Sequence, residues 1–156
     1  MQDFQKVLPQ QMIQDYFKFS FIRNPWDKVV SNYFDQTSSI GFGYRDMSFE
    51  DFVIKIKETQ HIHVLPQYKF ITDRDGKINV DFIGRYENLK EDLKRIESKI
   101  GCSFSNLRHI HKSERKHYSK YYTRQTKQIV AQIYQKDIEM FGYKFERKGI
   151  WARLMS

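Results

Sequence analysis

Residues 17–31 read FKFSFIRNPWDKVVS, and this stretch decides the fold because a strand ends in it and a helix begins in it. Apolar and polar residues alternate from 17 to 21, a pattern typical of a β-strand of about six residues. Asn24 and Pro25 then give a helix-start signal, because Asn is a favoured N-cap and Pro suits the first helical position. The predicted helix carries one apolar stripe, formed by Trp26, Val29, Val30, Tyr33 and Phe34. A strand that runs tightly into a helix is half of a βαβ unit and favours an α/β fold.

A second strand-to-helix junction lies later in the chain. Residues 78–83 read INVDFI and lead into a helix predicted over 87–100, which Gly101 should end. We expect this strand to pair with 68–72 in a hairpin around the turn residues 73–76. The buried stripe of the helix is predicted to be Leu89, Leu93, Ile96 and Ile100.

Two more helices are predicted from their end signals. Ser48, with Asp51 three residues on, resembles a capping box that opens a helix through about residue 58. A long helix is predicted from about 123 to 140, with Gly142 as its C-cap. Together with the two junctions, these helices predict a single α/β domain over residues 1–156.

The composition excludes several classes of protein. Of the 156 residues 40% are hydrophobic and 16% aromatic, which is enough to bury a core and excludes intrinsic disorder. Charged residues interrupt every apolar run before the roughly 18 residues that span a bilayer. With no basic-then-apolar leader in view, we predict a cytoplasmic domain without signal peptide or membrane segment. Cys102 is the single cysteine, which excludes internal disulfides and multi-cysteine zinc sites.

Positive charge is concentrated in one part of the chain. The net charge is +8, and between residues 108 and 128 only Glu114 is acidic. The basic residues there are Arg108, Lys112, Arg115, Lys116, Lys120, Arg124 and Lys127. Such a patch favours phosphate, sulfate, nucleic acid or acidic glycan as partners, and a solvated helix face is the alternative.

Histidine pairs give a weaker signal. His61 and His63, and likewise His109 and His111, are spaced to present two imidazoles on one face of an extended segment. Because a zinc site needs three or four ligands, we expect no metal and interpret these residues as surface or structural histidines.

Arg23 is the strongest candidate for a binding site. It lies at the carboxyl end of a predicted strand and beside a helix N-terminus, the place where open α/β sheets bind ligands and helix amides attract anions. Ser31 falls nearly two turns along the helix on about the same side. Arg23 and Ser31 are therefore candidates to hold one extended anionic group, the alternative being that Arg23 pairs with a carboxylate.

The same residues resemble a known family. Residues 16–33 look like the 3′-phosphate-binding motif of the carbohydrate sulfotransferases, the Golgi-type enzymes and their bacterial relatives. Further blocks follow in the family's order: HVLPQ at 63–67, VDFIGRYENL at 80–89, and a C-terminal helix ending in Phe-Gly-Tyr at 141–143. The resemblance runs from about residue 15 to 145.

The resemblance implies a P-loop-like αβα fold and a sulfuryl transfer. The donor would be 3′-phosphoadenosine 5′-phosphosulfate (PAPS), and the acceptor a carbohydrate hydroxyl. By position Arg23 and Ser31 would hold the 3′-phosphate, which is the group that sets this donor apart from ATP. Arg115 falls near the family's second donor-contacting loop, and His63 and Gln67 would face the acceptor. The catalytic residue stays unassigned.

The sequence departs from the family at one point. The family opens with a strand and a Lys-containing loop rich in Gly, Ser and Thr that cradles the 5′-phosphosulfate, and no glycine of this chain follows an early strand. We therefore expect an N-terminally truncated version of the fold, with a small, mainly parallel sheet whose missing edge favours a homodimer. The alternative function is a non-catalytic remnant that binds an anionic nucleotide or glycan. Nucleic-acid binding is a third hypothesis, based on the charge and on interleaved tyrosines, without a recognised signature.

Overall fold

The computed structural model describes residues 11, 15–35, 47–59, 61–104 and 115–147. The chain divides into two units: unit 1 comprises residues 1–23 and 67–108, and unit 2 comprises 24–66 and 109–156. The strands and α-helices in chain order are β1 (Phe19–Ile22), α1 (Pro25–Phe34), α2 (Phe49–Ile56), α3 (Tyr68–Ile71), β2 (Phe82–Arg85), α4 (Leu89–Ile100), α5 (Arg124–Ile133) and α6 (Gln135–Phe141). Short 3-10 helices cover Ile62–Val64, Tyr86–Asn88 and Tyr118–Lys120. The prediction of a single domain stays a prediction.

Unit 1 is built on a parallel pair of strands. β1 pairs with β2 in a register that runs from Phe19 opposite Phe82 to Ile22 opposite Arg85, and the described part of the sheet has two strands. Parallel neighbours need a long crossover between them, which is the hallmark of α/β proteins. The predicted α/β class with a small parallel sheet is therefore confirmed.

One ion pair fixes the start of this sheet. The backbone N–H of Lys18 donates to Asp81 Oδ2 at 2.7 Å, and the Lys18 ammonium lies 3.2 Å from the same oxygen. These two hydrogen bonds, the backbone one first, hold the pKa of Asp81 below its usual range. The pair sets the register just before the first residues of the two strands meet.

The predicted hairpin is wrong. Tyr68–Ile71 forms one helical turn, and the two arms share only an isolated antiparallel bridge between Thr72 and Ile78. The turn itself is present, with Gly76 at a φ of 79°. The reason is that β2 takes β1 as its partner, and a short, mainly apolar segment such as 68–71 suits a helical turn as well as a strand.

Helix α4 follows β2 as the sequence predicts. Gly101 ends the helix in the left-handed conformation, at a φ of 70°. Ile96 is completely buried, whereas Ile100 is 36% exposed. The predicted buried stripe is thus confirmed at Ile96, only partly buried at Leu89 and Leu93, and wrong at Ile100, which lies in the final turn of the helix.

The core of unit 2 is formed by α1, α2 and α5. Asn24 caps α1 and Ser48 caps α2, each accepting a hydrogen bond from a backbone N–H of the first turn. The predicted stripe of α1 is confirmed, with Tyr33 and Phe34 partly buried at its end. The buried residues of the core are Trp26, Val29, Val30, Phe52, Val53, Ile56, Val64, Tyr118, Val130 and Tyr134.

The predicted last helix is in fact two helices. Tyr134 interrupts it with a φ of −109° and a ψ of 24°, between α5 and α6. The ring of Tyr134 is completely buried, and its hydroxyl donates to the Val64 carbonyl at 2.6 Å. The helix breaks at the residue that makes this buried hydrogen bond. Its partner, Val64, lies 70 residues away in the chain, and helical periodicity does not reveal such a contact. Gly142 ends α6 as predicted, and Thr123, near which the helix was predicted to begin, is the N-cap of α5.

Among the residues that the structure describes, no helix is long and apolar enough to cross a membrane.

The close approach of Phe21 to Gly84 gives a stability prediction. A Cβ added to Gly84 would lie 2.6 Å from Cδ1 of the Phe21 ring, so the ring must move. Gly84→Ala should therefore lower the free energy of unfolding by about 1–3 kcal/mol, the usual cost of overpacking, as measured by urea denaturation.

A double variant identifies the cause of that loss. Phe21→Leu shortens the neighbouring side chain, so Phe21→Leu with Gly84→Ala should be more stable than the sum of the two single losses predicts. Strict additivity would show that the ring does not cause the loss.

Candidate anion-binding site

At the carboxyl edge of the sheet in unit 1, the guanidinium of Arg23 packs over the aromatic ring of Tyr86. Arg23 directly follows β1, and Tyr86 directly follows β2. Because Ile22 lies opposite Arg85, the next residues of the two strands are neighbours. Cζ of Arg23 lies over the Tyr86 ring, 4.1 Å from its centroid, while Tyr86 is 43% exposed. This is a cation–π contact at the edge where open α/β sheets bind their ligands.

The backbone of Arg23 is held by a side-chain amide. Oε1 of Gln67 accepts from the Arg23 N–H at 2.9 Å, and Nε2 of Gln67 donates to the Arg23 carbonyl at 2.8 Å. The amide group thus gives Arg23 one donor and one acceptor, as a neighbouring strand does. We call Arg23, Gln67 and Tyr86 the carboxyl-edge site.

A buried carboxylate stabilises the end of β2 behind this site. Asp92 is 5% exposed; Oδ2 accepts from the Arg85 N–H at 2.7 Å, and Oδ1 from the Arg95 guanidinium at 3.1 Å. Because Asp92 lies in the first turn of α4, it joins that helix to the strand that precedes it. The position of Tyr86 follows from this junction.

In unit 2 the predicted helix start is confirmed in detail. Oδ1 of Asn24 accepts from the Trp26 N–H at 3.1 Å, and its Nδ2 donates to the Lys144 carbonyl at 3.0 Å. Asn24 is 5% exposed, so its amide joins the cap of α1 to the segment after α6. Ser31 lies on α1 and is partly buried. The predicted binding of a phosphate by Ser31 stays a prediction.

Arg115 is bound to α1. Its guanidinium lies 2.8 Å from Oδ1 of Asp27, and both side chains are mostly buried. A guanidinium has five N–H donors, so this bond is compatible with a further contact to a ligand. The predicted role of Arg115 in donor binding stays a prediction. Arg108 and Lys112, which begin the basic patch, lie outside the described residues.

His63 is an exposed residue of the 3-10 helix Ile62–Val64. Its ring stacks on His61, with centroids 5.1 Å apart, and its carbonyl accepts from Asn32. The predicted contacts of His63 and Gln67 with the acceptor stay predictions. Within the described ranges, no three His, Cys, Asp or Glu side chains are grouped as metal ligands would be.

Lys28 is a half-buried cation that the sequence pattern did not reveal. Its ammonium donates to the Leu65 carbonyl at 2.6 Å and lies 5.1 Å from the centroid of the Tyr134 ring. Burial lowers the pKa of Lys28 to about 8, and the negative charge of the buried Asp137 limits this shift. Lys28 falls between two residues of the apolar stripe of α1, and this position was the only feature of the sequence that indicated its partial burial.

The first 144 residues match the model of one protein family, whose description is the sulfotransferase family. This chain belongs to the sulfotransferase family. The resemblance found in the sequence is confirmed at this level, while the carbohydrate-type specificity stays a prediction. The chain is also similar to an uncharacterized protein from Archaeoglobus fulgidus, at 41% identity over 97 residues that cover 58% of this chain and 72% of that protein. No solved structure gives a significant match.

The lowered pKa of Lys28 predicts a pH dependence of stability. Its pKa is about 8 in the folded protein and 10.5 without burial, so between these values the unfolded chain binds more protons. Stability contributed by this group therefore rises with pH in that window, by up to about 1.4 kcal/mol per pH unit. Lys28→Met removes the titrating group. The free energy of unfolding of the wild type minus that of the variant should therefore rise from pH 8 upward.

Urea denaturation from about pH 7 to 9.5 measures this difference below the range in which exposed tyrosines ionise. Lys55→Met, which removes an exposed lysine of α2, is the control and should keep the pH profile of the wild type. A Lys28→Met profile as steep as that of the wild type would contradict the assignment.

Proposed function

We propose that this protein transfers a sulfuryl group from PAPS to a carbohydrate hydroxyl. The observation that carries the proposal is Arg23, held at the carboxyl edge of a parallel sheet in a chain of the sulfotransferase family. A guanidinium at that edge suits a phosphate dianion, because its N–H groups match phosphate oxygens in geometry and charge.

The donor would be bound by Arg23, Ser31 and Arg115. The guanidinium groups offer charge-assisted hydrogen bonds, and the hydroxyl of Ser31 adds a neutral donor. His63 is proposed to face the acceptor, whereas both ends of the Gln67 amide are bonded to the backbone of Arg23.

The proposed reaction is an in-line displacement at sulfur. The acceptor oxygen forms a bond to the sulfur while the bond from sulfur to the 5′-phosphate oxygen breaks. The products are a sulfate ester and adenosine 3′,5′-bisphosphate, and the hydroxyl proton passes to a base. As in phosphoryl transfer, the protein contributes mainly by positioning and by stabilising negative charge.

A non-catalytic domain that binds an anionic nucleotide or glycan is the second candidate. It is supported by the same Arg23 and by the basic residues of 115–127, a described segment without an acidic residue. Nucleic-acid binding receives less support, because base stacking needs exposed rings. Tyr118 is 5% exposed, and Tyr122 packs edge-on against Phe49 and Phe145 while its hydroxyl donates to the Trp26 carbonyl.

Calorimetric titration with adenosine 3′,5′-bisphosphate tests the donor site. The wild type should bind this nucleotide and should bind 5′-AMP much more weakly, since the latter lacks the 3′-phosphate. Arg23→Ala should weaken binding roughly 10- to 100-fold, because it removes hydrogen bonds between charged groups.

Arg74→Ala is the matched control, since it removes the same charge from an exposed turn of unit 1. Equal affinity of wild type and Arg23→Ala would contradict the site. Transfer of labelled sulfate from PAPS to a panel of glycans then separates an enzyme from a domain that only binds.

A further inference from the structure

The hydrogen bonds of Gln67 point to a role at Arg23. Both ends of its amide bond the backbone of Arg23, the donor to the carbonyl and the acceptor to the N–H. An acceptor-binding glutamine would present this amide to a sugar. Here the amide carries out the hydrogen bonding of a sheet neighbour within unit 1.

The direction of the peptide groups in β1 explains why Arg23 needs such a hydrogen-bond partner. The Lys18 carbonyl accepts from Phe82 N at 3.2 Å and so faces β2. Because the peptide groups of alternate residues in a strand point to opposite edges, those of Arg23 face away from β2. Gln67 occupies that side, and its two hydrogen bonds fix the orientation of the Arg23 backbone and hence the direction of its side chain.

Tyr86 acts on the other end of the same residue. Its ring lies under the guanidinium, with the ring centroid 4.1 Å from Cζ, and restricts the last torsions of this long side chain. An arginine side chain loses about 2 kcal/mol of rotamer entropy when it is fixed, and a site that fixes it beforehand avoids that loss on binding.

We propose that Gln67 and Tyr86 are positioning residues that hold Arg23 in place for an anionic ligand, Gln67 through the backbone and Tyr86 through the guanidinium. The inference rests on the proposed function for the identity of the ligand, the 3′-phosphate of the donor. It assigns Gln67 a role different from contact with the acceptor, and it adds Tyr86 to the site.

Two variants test the inference by two readouts. Gln67→Met keeps the size of the side chain and removes both hydrogen bonds, and Tyr86→Leu removes the ring. Each should weaken binding of adenosine 3′,5′-bisphosphate roughly tenfold in calorimetry. In the nucleotide-free protein, the NMR order parameter of Arg23 Nε should fall in both variants toward the range of flexible groups, below about 0.6.

Matched controls remove the same groups elsewhere. Gln125→Met changes an exposed glutamine of α5, and Tyr16→Leu changes a tyrosine that is 54% exposed. Both should leave the affinity and the Arg23 order parameter unchanged. Thermal melts of all four variants separate a local effect from unfolding.

Gln67→Glu gives a pH-dependent rescue. A protonated carboxyl has one donor and one acceptor like the amide, whereas the ionised form faces the Arg23 carbonyl with a negative oxygen. The affinity of this variant relative to the wild type should therefore recover as the pH falls from about 7 to about 4, a range that includes the usual pKa of a glutamate side chain.

The two readouts separate the inference from the proposed function. A fall in the order parameter without nucleotide binding by the wild type would leave the positioning role standing and overturn the proposed ligand. Nucleotide binding by the wild type with unchanged affinity and order parameter in both variants would overturn the positioning role alone.

Discussion

The parallel pairing of β1 with β2 is the interaction on which unit 1 depends. The pair of Lys18 and Asp81 fixes its register at one end, and at the other end that register makes Arg23 the neighbour of Tyr86. A slip by one residue would turn every side chain of the strand to the opposite face. The same register places Gly84 opposite Phe21, so one pairing determines both the packing and the site.

Unit 2 depends on hydrogen bonds that link helices to irregular segments. Nε1 of Trp26 donates to the Lys127 carbonyl, and the Trp26 carbonyl accepts from the hydroxyl of Tyr122. Tyr134 makes the corresponding bond to Val64. Across the described residues, no buried side-chain nitrogen or oxygen is left without a hydrogen-bond partner. Because an unmade bond in the interior is costly, such a set favours one arrangement of the helices over its alternatives.

The sequence was informative wherever a feature is decided within a few residues. The caps at Asn24 and Ser48 and the C-cap glycines were predicted correctly, because each depends on one side chain and the adjacent turn. The hairpin was wrong because the partner of a strand is chosen by packing over a long distance in the chain. The break at Tyr134 was missed for the same reason.

The residues of the candidate site show the same contrast between local signals and long-range contacts. Arg23 was identified from its place between a strand and a helix, a local signal. Gln67 was identified by resemblance, but its contact with Arg23 needs the three-dimensional structure. Tyr86 was missed, since only the strand register shows that it follows Arg85 to the neighbourhood of Arg23.

The division of the chain into two units has a consequence for biosynthesis. Each unit consists of two separate segments, and the chain passes from one unit to the other after residues 23, 66 and 108. β1 leaves the ribosome long before β2, so its backbone hydrogen-bonding groups and aromatic side chains stay unpaired until β2 has been synthesised. Non-local contacts of this kind slow folding and lengthen the exposure of strand edges to other chains. A nascent chain halted before residue 82 thus carries β1 without its neighbour, and holding that segment apart is a task suited to a chaperone.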